Sequence, residues 1–144
     1  IVSRFIEKEM QQCGVINIEK TGPYTFDTGA LFHLKTDFKG SIIYDNQIGL
    51  IKKLHPTPAT CGTPQAVTFN YVINAEPHKR SIYCGFLGPI TENQSHLFVN
   101  LRCMQILNDR AYLYVGGGIT GDSEPEKEWD ETINKSKTLA SFLG

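Results

Sequence analysis

A chain of 144 residues, 40% hydrophobic and 20% charged, has a globular composition and enough length for one core. Its formal net charge of −1 provides no general basic footprint for nucleic acid or an anionic membrane, so any anion must be held by local groups. Cys13, Cys61, Cys84 and Cys103 form no C-x-x-C pair and no spacing with the four histidines that indicates a zinc or redox motif. Scattered thiols fit a reducing cytoplasm, although their even number leaves disulfides open. No signal peptide, apolar run of membrane length or low-complexity tract is visible.

The sequence begins on IVSRFIEKEMQQCG, without a methionine and already inside a helical pattern, as expected of a piece of something longer. Val2, Phe5, Ile6, Met10 and Cys13 recur at helical spacing, and Gly14 is the predicted stop. Val15 to Glu19 reads as a short strand and TGPYTFDTG as turn-rich. Ala30 to Phe38 alternates as a half-buried strand does. His33 lies in that strand, and a lone histidine is more often structural than catalytic. Asp45 is placed to cap a short helix, NQIGLIKKL, that ends before Pro56.

His55 to Gly62 carries two prolines and reads as a stiff wall. Thr63 and Pro64 predict the start of a helix with Ala66, Phe69, Val72 and Ile73 on its buried side, ending near Pro77. Arg80 to Ile90 reads as a buried strand broken at Gly85 and Gly88, where a backbone or ligand can come close. Leu97 to Leu107 and Ala111 to Val115 bracket Asn108 and Asp109 and predict a long hairpin. Arg102 sits in its first strand, either at the solvent face or aimed at a buried anion.

The last stretch carries the most chemistry. Tyr112 to Val115 predicts a strand, followed by Gly116, Gly117 and Gly118, which permit close backbone approach and φ values closed to other residues. Ser123 and Glu126 read as a capping box, with Pro125 in the first turn of a helix that places Glu128, Glu131 and Lys135 on one face. Trp129, Ile133, Ala140 and Leu143 mark the neighbouring face as the buried one. An isolated E-x-x-E-x-x-x-K is usually a solvated stripe, and the glycine run just before it lowers the weight of that reading. Two carboxylates without cysteine or histidine suit a hard cation such as Mg²⁺. With no internal repeats, residues 1–144 read as a single α+β piece dominated by antiparallel pairing.

Four segments together carry a resemblance: LHPTPATCG at 54–62, the R-x-x-Y-x-G-x-x-G pattern on Arg80, Tyr83, Gly85 and Gly88, LRC around Arg102, and GGGI followed by E-W-D-E-T-x-x-K. In order and spacing the chain resembles the chorismate-utilising enzymes over nearly its whole length. Its HPTP segment is similar to that of isochorismate synthases. Anthranilate and aminodeoxychorismate synthases tend to carry a Pro-x-Gly-Thr version with a later lysine, which Thr63, Pro64 and Gln65 lack. The resemblance implies the C-terminal portion of an α/β/β/α sandwich and a Mg²⁺-dependent isomerisation of chorismate in menaquinone or siderophore biosynthesis, with water added at C2 and the C4 hydroxyl lost. Glu128 and Glu131 match metal ligands. Arg102 and Lys135 match residues that pair with substrate carboxylates, and Gly116 and Gly118 match main-chain contacts beside the same anion. His33 matches a histidine near the departing hydroxyl, and Ala59 and Tyr83 match residues lining the ring pocket.

The departure is at the front, where family members supply a lysine base, a glutamate acid and a further metal-binding glutamate that would precede Ile1. The expectation is therefore an inactive fragment with a surface exposed for self-association. The alternatives are another chorismate enzyme, of salicylate or anthranilate synthase type, and a non-catalytic anion- or metal-binding module.

Overall fold

Helix α1, Val2–Gln12, opens the computed structural model, which describes residues 1–27, 32–91 and 94–143. It stops where the glycine dictates: Gly14 adopts φ +77, its N–H bonds Gln11 O, and the Val15 N–H bonds Met10 O. This double closure is a Schellman motif, and Met10 and Val15, the positions that carry an apolar contact in such motifs, are each only 7% exposed. The chain divides into two units, Ile1–Cys61 and Gly62–Gly144.

In the first unit, strand β1 (Ile16–Asp27) pairs antiparallel with β2 (Phe32–Ser41), from Ile16 opposite Ser41 to Asp27 opposite Phe32. Much of the expected turn at TGPYTFDTG is therefore strand. The ladder absorbs it through a register shift between Thr21 and Tyr24, where Gly22 takes φ +107 and a Cβ would lie 2.6 Å from Lys35 O. The predicted strand start at Ala30 and Leu31 lies outside the described residues. The half-buried alternation is not found in β2, because Phe32 and Leu34 are exposed while Thr36, Asp37 and Phe38 are partly covered. A 3-10 turn at Tyr44–Asn46 leads into α2, Gln47–Leu54, whose N-cap is Asn46 instead of Asp45, with no side-chain cap bond. The proline-rich wall contains one helical turn, α3 (Pro58–Cys61), closed by the Thr60 hydroxyl and Cys61 thiol on Thr57 O. Helix α1 packs on both α2 and α3.

The second unit begins with α4, Gln65–Ala75, which has no buried residue; Ala66, Phe69 and Ile73, expected inside, are exposed. Arg80 to Ile90 is not a continuous strand. Ser81 and Cys84 take left-handed φ values of 50 and 61, making a turn, and only β3 (Phe86–Leu87) pairs with β4 (Phe98–Val99). The hairpin is shorter than expected: β5 (Cys103–Leu107) pairs with β6 (Arg110–Tyr114), with Asn108 and Asp109 between the paired Leu107 and Arg110. Arg102 lies between β4 and β5 at φ +50, a conformation that ends the pleat, so strand alternation does not set its direction. Helix α5, Pro125–Ala140, packs on β6. Its N-cap is Glu124, one residue later than the predicted capping box, and no side chain caps it.

The packed face of α5 also differs from the expectation. Trp129 is 66% exposed and Ile133 41%, and Ala140 and Leu143 are exposed as well. The covered positions are Glu128, Thr132, Lys135, Ser136 and Leu139, which recur at i, i+4, i+7, i+8 and i+11. The architecture is α+β with antiparallel pairing, as the sequence indicates. All four cysteines are free. No described helix is long and apolar enough to cross a membrane.

Candidate functional site

The polar face of α5 meets the backbone that leaves β6. Lys135 Nζ donates to Gly116 O at 3.0 Å and pairs with Glu131 Oε1 at 2.5 Å. This single ammonium joins the helix to the glycine run. The Lys135 hydrogen bond holds the Glu131 carboxyl below its ordinary value, and the positive charge of Arg102 adds to the effect. Arg102 thus acts on the same carboxylate as Lys135.

Glu128 is fixed from the other end of the loop. The Thr120 N–H donates to Ser123 Oγ at 3.0 Å, and Ser123 Oγ donates to Glu128 Oε1 at 2.6 Å. The sequence reads Ser123 as a helix cap; its hydroxyl orients a carboxylate instead. Five residues separate the two, a spacing that no regular element marks. Glu128 Oε2 lies against the glycine run, 3.2 Å from where a Cβ of Gly117 would be.

None of Gly116, Gly117 and Gly118 has a left-handed φ, so close approach, not backbone conformation, is what demands glycine here. The demand is strongest at Gly116, where a Cβ would come within 2.6 Å of the Tyr83 hydroxyl; at Gly118 there is open space. Tyr83 stacks on Tyr114 with ring centroids 5.7 Å apart and planes inclined by 25°. The Arg80 guanidinium lies 5.7 Å from its ring. Burial pushes the Tyr83 hydroxyl up to about 12, so it remains a neutral donor near neutral pH.

Five sequence-selected positions are joined by these contacts, Tyr83, Gly116, Glu128, Glu131 and Lys135, with Arg102 acting on Glu131 through its charge and Gly118 beside them in the same run. His33 and Ala59 belong to the Ile1–Cys61 unit: His33 is exposed in β2 opposite Phe26, and Ala59 is exposed in α3. An open cavity of about 400 Å³ adjoins the cluster, lined by Gly117, Ile119, Ser123, Pro125, Glu128 and Trp129.

As a metal site the cluster offers two hard carboxylates. Among the described residues no group of three or more His, Cys, Asp or Glu side chains could hold a metal by itself. Two carboxylates fit Mg²⁺, which is commonly held by one or two of them and completed by waters and an anionic substrate. Such a cation would have to displace Lys135 from Glu131.

The sequence profile of the family described as chorismate binding enzyme matches residues 1–144. The chain is 37% identical over 125 residues to the isochorismate synthase MenF of Bacillus subtilis (strain 168), covering 85% of this chain and 26% of that protein. It is 32% identical over 126 residues to the isochorismate synthase EntC of Escherichia coli (strain K12), covering 86% of this chain and 32% of that one. A crystal structure of a Bacillus anthracis protein assigned as a 2,3-dihydroxybenzoate-specific isochorismate synthase, DhbC, superimposes with a TM-score of 0.81 at 27% identity, over 99% of this chain and 39% of that one. The chain thus spans roughly a quarter to two fifths of the length of these relatives.

Proposed function

Because the chain belongs to the family of chorismate binding enzymes, we propose that it forms the C-terminal part of an isochorismate synthase and carries the groups that hold chorismate. The observation that supports this is the single cluster in which Lys135 bridges Gly116 O and Glu131 while Arg102 bears on the same carboxylate. Lys135 on the glycine backbone, with the charge of Arg102 bearing on its partner Glu131, suits a small dicarboxylate: Arg102 would offer a planar fork and Lys135 a compact charge. Lys135 must exchange Glu131 for the substrate when it binds. Main-chain groups at Gly116 and Gly118 lie beside the same anion, and the neutral Tyr83 hydroxyl donates toward the ring.

Glu128 and Glu131 are the residues that would hold Mg²⁺, which would neutralise the ring carboxylate and draw charge from the ring. Ser123 keeps Glu128 in place for this. The roles of His33 beside the departing C4 hydroxyl and of Ala59 at the ring pocket rest on the family resemblance alone. Relatives of both MenF and EntC type match, so the reading covers menaquinone and siderophore biosynthesis alike. A cytoplasmic location and self-association through exposed apolar residues are further parts of the proposal.

The resemblance places the lysine base and glutamate acid in a part of the family fold that these 144 residues do not match. Residues 1–144 by themselves should therefore bind chorismate and not convert it. Positioned acid and base groups commonly contribute ~10²–10⁴-fold each. Chromatographic analysis of chorismate incubated with the chain and Mg²⁺ tests this. No isochorismate is expected, and steady conversion would overturn the assignment.

A further inference from the structure

We propose that Glu76 and Arg80 form a positioning clamp that sets Tyr83, and through it the glycine run, for recognition of the substrate ring; this rests on the chorismate-binding reading above. Arg80 Nε donates to Glu76 Oε2 at 2.7 Å and Nη2 to Oε1 at 2.6 Å, a two-point fork between partly buried side chains. Although four residues apart, the two do not share a helix. Helix α4 ends at Ala75, Pro77 intervenes, and the pair ties the end of α4 to the turn at Ser81–Cys84. The ion pair is therefore not an incidental product of helical spacing.

That turn has reason to need support. Ser81 and Cys84, neither of them glycine, both sit at left-handed φ, a conformation that persists in such residues when the surroundings fix it. Tyr83 lies between them, with its N–H on Arg80 O at 2.8 Å and its ring under the Arg80 guanidinium. On β6, Tyr114 contacts the same ring. The Tyr83 hydroxyl then reaches the Gly116 backbone, whose carbonyl receives Lys135. A continuous set of contacts thus runs from Glu76 through Arg80 and Tyr83 to the lysine assigned to the substrate carboxylate. Arg80 touches none of the reacting atoms in this scheme; it is a positioning residue.

The test uses the 144-residue chain with ¹³C-labelled tyrosine, the Tyr83 ring signal being identified by its loss in Tyr83→Phe. Arg80→Met should move that signal and speed the ring's flipping. Arg80→Lys keeps the charge without the fork, so it should move the signal similarly while leaving the melting midpoint near that of the unaltered chain. Chorismate affinity, measured with Mg²⁺ by calorimetry, should fall about three- to tenfold in Arg80→Met, the order expected when one ordered side chain becomes free. In a Tyr83→Ala background Arg80→Met should cause no further fall, because Arg80 acts through Tyr83. Unchanged Tyr83 signals in both Arg80 variants, or additive losses of affinity, would overturn the clamp. Failure of the unaltered chain to bind chorismate would count against the functional reading, and the ring signals would still decide the clamp.

Discussion

Gly116→Ala isolates the closest contact in the site. The new Cβ would lie 2.6 Å from the Tyr83 hydroxyl, whereas ordinary contact begins at 3.4 Å, so about 0.8 Å must be found by moving Tyr83 or the strand. Tyr83 is not free to swing, since it stacks on Tyr114 and lies against Arg80. Overpacking of this kind costs about 1–3 kcal/mol, and the reduced freedom of the unfolded chain returns ~0.4–1 kcal/mol, leaving a net loss of about 1–2 kcal/mol. Two controls come from the same geometry. Gly118→Ala meets no atom within 4 Å and should be neutral or slightly stabilising. Tyr83→Phe removes the hydroxyl and leaves the ring carbon at 3.8 Å as the nearest Tyr83 atom, an ordinary contact, so it should rescue Gly116→Ala. Urea unfolding of the two single variants and the double variant reads the coupling, expected at about 1 kcal/mol or more. Gly116→Ala as stable as the unaltered chain, or equally unstable with and without the hydroxyl, would rule out a clash with Tyr83 as the cause.

Ser123→Ala removes the donor that orients Glu128, and Mg²⁺ affinity should fall about tenfold. Trp129 lines the cavity beside Glu128, so its fluorescence is a convenient reporter of that titration. Lys135→Met should raise the Glu131 pKa toward its ordinary value, visible in a carboxyl ¹³C titration, because Lys135 is the main cause of its lowering. Glu76 is likewise held low, mainly by its hydrogen bond from Arg80. A lowered folded-state value contributes stability above the ordinary pKa, 4.5 here, and the contribution is lost as pH falls through the lowered value. Glu76→Gln should therefore flatten the acid limb of urea midpoint against pH below about 4.5. Glu131→Gln should change it little, since an exposed pair is screened by solvent.

Local signals in the sequence were the legible ones. The end of α1 follows from Gly14, because a left-handed closure after a helix needs little beyond its own residues. The span of α5 and the turn at Asn108 and Asp109 follow from equally local chemistry. What each face meets was not legible. Periodicity shows that Trp129 and Ile133 share a side of α5, but the adjacent side carrying Glu128, Thr132, Lys135 and Leu139 is the covered one, and Lys135 ties it to the backbone that leaves β6. Spacing puts Glu128, Glu131 and Lys135 close together on α5; of the three, Lys135 and Glu128 meet the glycine run, and Glu131 is tied to it through Lys135. The direction of Arg102 was not readable, because its left-handed backbone removes it from the strand pattern. The Glu76–Arg80 pair was hidden by Pro77, which disqualifies the helix that would have suggested it.

In the proposed function Lys135, with Arg102, holds the anionic substrate while Glu128 and Glu131 hold a cation. Calorimetric titration of the chain with chorismate, with and without Mg²⁺, tests it most directly when repeated on Lys135→Met. Hydrogen bonds to charged groups contribute about 1.5–3 kcal/mol, so the substitution should weaken binding by roughly tenfold or more. Mg²⁺-dependent binding is expected in the unaltered chain, and that loss in the variant. Binding of equal strength without Mg²⁺ and without Lys135 would contradict it.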